Sequence, residues 1–209
     1  MMDIILISRQ DKYFPTRLIE RMGSNAPETV IASGNLDILK YPKIGLICSS
    51  RCPGSIIIRT FDAIRDLQDM HVVMIGGFHS PMERDCLDLW LNGTQPVIFC
   101  PAKSLHNLPM GKTARKALAT NQLLILTPFG NDVRRTTSRQ AIFRNDMVAA
   151  LSDVLFVPHA SNNGKTWTTV HKAFQRNQRI LSFEDETNKN LIEFGAKVFQ
   201  NDRIENLID

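Results

Sequence analysis

The sequence contains no apolar run long enough to cross a bilayer, and Asp3 interrupts the apolar stretch at its start. Neither a membrane span nor a secretory leader is expected, and the reading is a soluble, cytoplasmic protein. Cysteine is scarce. Cys48, Cys52, Cys86 and Cys100 form no Cys-x-x-Cys pair, and no His lies at finger spacing, so reduced buried thiols and no metal site are expected. No Ser–His–acid set and no pair of carboxylates falls at a recognisable spacing, so no catalytic residue is expected either. Acids are rare in one segment. Residues 101–145 carry eight bases against Asp132 alone, a net +7, whereas residues 181–209 carry seven acids against three bases, a net −4. Such polarisation is the footprint of a polyanion binder, or else of a solvated helical surface.

What is present is a strict alternation. From residue 43 onward, short apolar runs at 44–48, 71–75, 96–100, 123–126, 154–157 and 179–183 read as strands. Between them lie helical patterns. Ile57, Phe61, Ile64 and Leu67 share one face, as do Met82, Cys86, Leu89 and Trp90 behind Pro81. A short basic helix is expected at 113–120, a longer one at 139–151, another marked by Trp167, Val170 and Phe174, and a last one at 190–194. Continuous apolar strands alternating with helices predict an α/β fold, a Rossmann-like, doubly wound and mostly parallel sheet with helices on both faces. Residues 41–209 are read as that domain. Residues 1–40, punctuated by Pro15, Gly23, Pro27 and Gly34, are read as an N-terminal extension packed on it, with a strand at 29–32.

Ligands in such folds bind beyond the carboxyl ends of the strands, and small, hydroxyl and basic residues recur there. Ser49-Ser50-Arg51 follows the first parallel strand; its hydroxyls and amides suit a phosphate and Arg51 suits a bidentate pair, although a plain helix cap would look the same. Gly76-Gly77 permits close approach of a ligand or simply makes a turn. His79, Glu83 and Asp85 beyond it are general acid–base equipment or helix-capping groups. Arg144-Asn145 is read as opening a helix that runs into Ser152-Asp153 and a buried strand, and Asn163-Gly164-Lys165-Thr166 as opening the next. Arg134, Arg135, Arg139 and Arg144 form a row of cations; Arg139 and Arg144 diverge by about 140° on a helix, so together they would track a backbone rather than share one contact. Phe129 is placed to stack on a base or to join the core. Gly164-Lys165-Thr166 and Gly111-Lys112-Thr113 both imitate a P-loop, but His159 and His106 stand where its first Gly is needed, which argues against an NTPase.

These residues resemble the DprA/Smf family of DNA-processing proteins, within the SLOG group of Rossmann-like domains. Tyr13-Phe14-Pro15-Thr16-Arg17-Leu18 and Ala32-Ser33-Gly34-Asn35-Leu36 are similar to the family's Tyr-Pro-x-x-Leu and Arg-Gly-Asn motifs, and the 44–51 run is similar to Val-Ala-Ile-Val-Gly-Ser-Arg. Arg144-Asn145 through Val157 is similar to Arg-Asn-Arg-Ile-Ile-Ala-Gly-Leu-Ser-Asp, and Asn163-Gly164-Lys165-Thr166 falls at Ser-Gly-Ser/Ala-Leu. The resemblance implies single-stranded DNA binding, loading of a RecA-type recombinase and a homodimer. It implies that Ser50, Arg51, Gly77, Arg144, Asn145 and Gly164 line the pocket. Two departures stand out. Ser49 replaces a Gly, and Gly76-Gly77-Phe78-His79-Ser80-Pro81-Met82-Glu83 replaces Ser-Gly-Leu-Ala-x-Gly-Ile-Asp. Appended helical domains have no room, which implies a compact solo-domain form.

Three functions follow. The first is a non-enzymatic single-stranded DNA binder that holds DNA or phosphate through Ser49, Ser50, Arg51, Gly76, Gly77, His79, Arg134, Arg135, Arg139, Arg144, Asn145, Gly164, Lys165 and Thr166. It needs no cofactor, though the crest suits a bound nucleotide. The second is a nucleotide- or small-ligand-sensing module that works with a partner protein. The third is a nucleotide hydrolase using His79 and Glu83. It is opposed by the 162–169 turn, which lacks the Glu of the related phosphoribohydrolases' Pro-Gly-Gly-x-Gly-Thr-x-x-Glu.

Overall fold

The computed structural model describes residues 3–200. The acids and base at Asp202, Arg203, Glu205 and Asp209 lie outside the described residues. Nine strands are described: β1 (Ile5–Ser8), β2 (Thr29–Gly34), β3 (Lys43–Leu46), β4 (Val73–Gly76), β5 (Val97–Phe99), β6 (Leu123–Thr127), β7 (Val154–Phe156), β8 (Arg179–Ser182) and β9 (Lys197–Val198). They form one sheet in the order β1-β2-β6-β5-β4-β3-β7-β8-β9. Every neighbouring pair from β6 to β9 is parallel, and β2 is antiparallel to both β1 and β6.

The central strands β3, β4, β6 and β7 are buried along their whole length, as expected of a parallel sheet covered on both faces. Among the described residues seven α-helices supply the cover: α1 (Thr16–Met22), α2 (Gly54–Gln68), α3 (Pro81–Leu91), α4 (Lys112–Ala119), α5 (Ser138–Leu151), α6 (Lys165–Gln175) and α7 (Lys189–Glu193). On one face Leu18 of α1, Met147 of α5, Val170 of α6 and Leu191 of α7 pack with Ile47, Ile98 and Leu155. On the other, Ile56 and Ile64 of α2, Trp90 of α3 and Ala117 of α4 pack with Leu46, Met74 and Phe156.

The first forty residues are continuous with this architecture. They contribute two strands to the same sheet, and Phe14, Leu18, Met22 and Val30 belong to the first core. Arg17 pairs with Asp153, and Arg21 donates to the carbonyls of Ala150 (3.0 Å) and Ser152, where a cation complements the carboxyl end of α5. Burial, followed by the neighbouring Arg17, lowers the Arg21 guanidinium below its ordinary range.

The order of the strands fixes where a ligand can enter. β3 and β7 are neighbours, yet the chain leaves β3 for α2 on one face and leaves β7 for α6 on the other. The two exits diverge and open a crevice at their carboxyl ends, the topological switch point of a doubly wound sheet.

Candidate nucleic-acid interface

Ser49-Ser50-Arg51 and the 159–165 turn form the two lips of that crevice. Backbone and side chain stitch them together: Ser49 N donates to the His159 carbonyl at 3.0 Å, and Ser161 N donates to Ser49 Oγ at 3.0 Å. Ser49 is thus a buried brace between the lips, while Ser50 and Arg51 are exposed above it. A shallow depression of about 570 Å³ lies here, lined by Ser50, Arg51, Cys52, Pro53, His159, Ser161 and Thr187. The His159 ring is held from behind. The Asn188 amide donates to the carbonyls of Pro158 (2.8 Å) and Phe183 (3.2 Å), which leaves its oxygen to accept from His159 Nδ1 at 2.9 Å. The other ring nitrogen faces Ser161 Oγ at 3.4 Å.

The helix ends decide which backbone amides are open to an anion. α3 begins with a full capping box of Ser80 and Glu83, and α5 with one of Thr137 and Gln140, so their first amides are already served. α2 and α6 rise from the two lips with Pro53 and Gly164 as N-caps, and neither has a side-chain cap. Two uncapped helix N-termini therefore meet beside Arg51 and Lys165, both exposed, which is a phosphate-binding geometry. α1, α4 and α7 also lack a side-chain cap, but none of them rises from the lips of this crevice, and the Gly111 end of α4 lines an apolar depression with Phe78, Leu87 and Phe99. Thr166 points inward and is buried, and Gly164 N donates to the Ser161 carbonyl at 3.1 Å.

At the β4 exit the helix-capping alternative for Glu83 holds. Glu83 is 6% exposed, and its carboxylate accepts from three backbone amides: Cys48 N (3.0 Å), His79 N (3.0 Å) and Ser80 N (2.9 Å). It ties the β4 exit to the β3 exit, which is the helix-capping alternative for Glu83 extended to a second strand. His79 is exposed beside it, and the intervening Phe78 adopts φ 43° with its ring buried.

Arg144 and Asn145 stand elsewhere than the sequence suggests. α5 opens at Ser138, so the pair sits two turns inside the helix rather than at its start. Arg144 is 4% exposed. Its guanidinium donates to the Cys100 carbonyl at 2.9 Å and to Asn145 Oδ1 at 2.8 Å, and it lies against Gly77 so closely that a Cβ there would fall 1.6 Å from Nη1. Gly77 is required for this contact and not for a free ligand approach. Burial lowers the Arg144 guanidinium, with Glu83 the main opposing influence. Arg144 is therefore the keystone under the β4 and β5 exits, not the exposed end of a basic row, and half-buried Asn145 fixes it.

The rest of that row is on the surface. Arg134, Arg135 and Arg139 are exposed along the 130–139 segment that follows β6. Phe129 meets Phe143 edge to face, with ring centroids 6.0 Å apart, at a depression of about 480 Å³ that Arg139 and Gln140 also line. From β6 to β7 the carboxyl edge spans four strand spacings, about 19 Å. The switch-point lips stand near one end and the Phe129 pocket with its arginines at the other.

A family profile, that of DNA recombination-mediator protein A, matches residues 5–208. The chain belongs to that family. No curated sequence is a significant match. DNA processing protein A of Streptococcus pneumoniae superimposes with a TM-score of 0.82 at 19% identity, over 99% of this chain and 75% of that one. DNA processing protein A of Helicobacter pylori, described for its single-stranded DNA binding mode, gives 0.79 at 19% identity, over 98% and 95%. A molybdenum cofactor binding protein of Rippkaea orientalis shares the fold more loosely, with a TM-score of 0.55 at 14% identity, over 80% and 95%. Membership in the recombination-mediator family accounts for the Rossmann-like sheet and for a role in DNA processing. Among the described residues no helix is long and apolar enough to cross a membrane, and no cluster of potential metal ligands occurs.

Proposed function

We propose that the protein binds single-stranded DNA along the carboxyl edge of its sheet. The observation that carries this reading is the pair of uncapped helix N-termini, α2 and α6, meeting at the β3/β7 switch point beside exposed Arg51 and Lys165. A phosphate there receives backbone amides, a bidentate guanidinium and a point charge. Ser50 borders it, Ser49 braces its lips and Thr166 is buried behind Lys165; farther along the edge, exposed His79 stands at the β4 exit, where Gly76, Gly77, Arg144 and Asn145 form the floor. Toward β6, Phe129 offers a ring to a base while Arg134, Arg135 and Arg139 offer charge to further phosphates. An edge of about 19 Å suits several nucleotides of a strand better than one free nucleotide. The role is binding without turnover.

Family membership supports two extensions: a homodimer, and delivery of the bound strand to a RecA-type recombinase in the cytoplasm. The second reading is a nucleotide-sensing module that acts through a partner protein. The limited size of the switch-point depression, about 570 Å³, favours it. A gel shift of an oligo-dT at two salt concentrations tests the proposal. Binding at low salt that weakens at high salt, and weakens further in Arg51→Ala, is the expected result. No shift at low salt would sink it.

A further inference from the structure

A second cavity lies at the opposite edge of the sheet, where the proposed DNA path does not reach. It encloses about 580 Å³ between the start of α1, the short 3-10 turn Leu36–Lys40 and the amino ends of β3 and β7. Its volume falls in the range of small-molecule sites, roughly 300–1,000 Å³. Four cations line it, Lys12, Arg17, Lys40 and Lys43, against one carboxylate, Asp153.

The carboxylates at hand are already committed. Asp153 pairs with Arg17 and accepts from Lys43 N at 2.8 Å, and Asp37 holds Lys40 Nζ at 2.6 Å. Among the described residues no carboxylate forms an ion pair with Lys12 or Lys43. Lys43 is the telling group. It is 6% exposed, and its ammonium, which has three donors, makes one hydrogen bond, to the Tyr41 carbonyl at 2.6 Å. Burial lowers this ammonium below its ordinary range, against the pull of Asp153. A buried, under-bonded cation in a cavity wall is costly alone and is stabilised by an entering anion. Beside aliphatic groups such as Leu36, Leu39 and Leu151, the lining includes two tyrosine rings. Lys12 Nζ sits 4.9 Å from the ring centroid of half-buried Tyr13, and Tyr41 is 54% exposed.

We propose that this cavity is a ligand site for a small molecule joining an anionic group to a flat ring, of the nucleoside monophosphate class. The anion meets Lys43 and Lys12, and the ring stacks on Tyr13 or Tyr41. The site is separated from the switch-point crevice by the length of β3, roughly 10–13 Å, and does not depend on the DNA-binding reading.

Calorimetric titration of the full chain with dAMP, inorganic phosphate and deoxyadenosine, in separate arms, tests it. The expected result is dAMP binding at least about tenfold tighter than either fragment, since the charged group and the stacked ring both contribute to its affinity. Lys12→Ala and Tyr41→Ala, both at exposed positions where folding is not in question, each weaken dAMP by about tenfold. A saturating oligo-dT leaves the dAMP titration unchanged. No dAMP binding, phosphate binding as tightly as dAMP, full binding in both variants, or displacement by oligo-dT would each overturn the proposal.

Discussion

Gly77→Ala tests whether Arg144 is a structural keystone. In the native protein Arg144 fills the space a methyl group at 77 would need, with an ideal Cβ 1.6 Å from Nη1 and 1.9 Å from Cζ. Gly77 has no positive φ, so alanine is acceptable to the backbone there and the cost comes from displacement alone. Moving the guanidinium breaks its bonds to the Cys100 carbonyl and to Asn145 Oδ1 inside a site that is 4% exposed. Hydrogen bonds of a charged group are worth about 1.5–3 kcal/mol, and overpacking adds about 1–3 kcal/mol. The single change is expected to cost roughly 3–5 kcal/mol. In an Arg144→Ala background the obstruction is gone and the same change costs under about 1 kcal/mol, giving a coupling of about 2–4 kcal/mol. Urea unfolding of the four proteins at constant m measures it. Additive single costs, or a Gly77→Ala protein as stable as the parent, would refute the reasoning.

Other outcomes are expected. Phe129→Ala loses about 1–3 kcal/mol of oligo-dT affinity in fluorescence anisotropy while leaving the salt slope unchanged, if the ring stacks on a base. Replacing Arg134, Arg135 and Arg139 together by Ala flattens the slope of log K against log salt by about two, at about 0.7 per lost phosphate, and shifts stability by no more than about 0.5 kcal/mol because all three are exposed. Iodoacetamide at pH 8, followed by mass spectrometry, labels Cys52 first. Hydrogen bonding with the Cys48 thiol lowers Cys52, whereas burial pushes Cys100 up to about 12. Because that thiol is raised in the folded state, its neutral form favours folding below the ordinary thiol range and the advantage is lost as pH climbs from about 9 toward 12. Cys100→Ala should flatten that alkaline decline in stability.

The alternation of apolar runs located β3 to β8, because fully buried parallel strands write themselves as continuous hydrophobic segments. β1 and β9 carry no such signal. β1 is a four-residue edge strand whose Ile5 and Leu6 are 39% and 64% exposed, and β9 is two residues long. The helix expected at 139–151 is α5, set one residue earlier by the Thr137-x-x-Gln140 capping box, and only the reading of Arg144-Asn145 as a helix opening fails. The lips of the crevice were legible, since Ser49-Ser50-Arg51 and Asn163-Gly164-Lys165 directly follow strands that the fold makes neighbours. The burial of Arg144 was not. It depends on Gly77, sixty-seven positions away in sequence, leaving space above the Cys100 carbonyl, and no local pattern reports such a vacancy. The capping role of Glu83 was legible, since Ser80-x-x-Glu83 opens α3, whereas its bond to Cys48 N was not, because that donor comes from the end of a separate strand.

The central claim is that the carboxyl edge grips a DNA backbone at the α2/α6 junction. The salt dependence of oligo-dT binding, measured beside that of a mononucleotide for the parent and Arg51→Ala, tests it most directly. The account predicts oligomer binding that a mononucleotide does not compete away, a log–log slope of roughly −2 to −4 for three to six phosphate contacts, and a slope shallower by about 0.7 in Arg51→Ala. Equal affinity for mononucleotide and oligomer at this edge, or a slope that Arg51→Ala leaves unchanged, would contradict it.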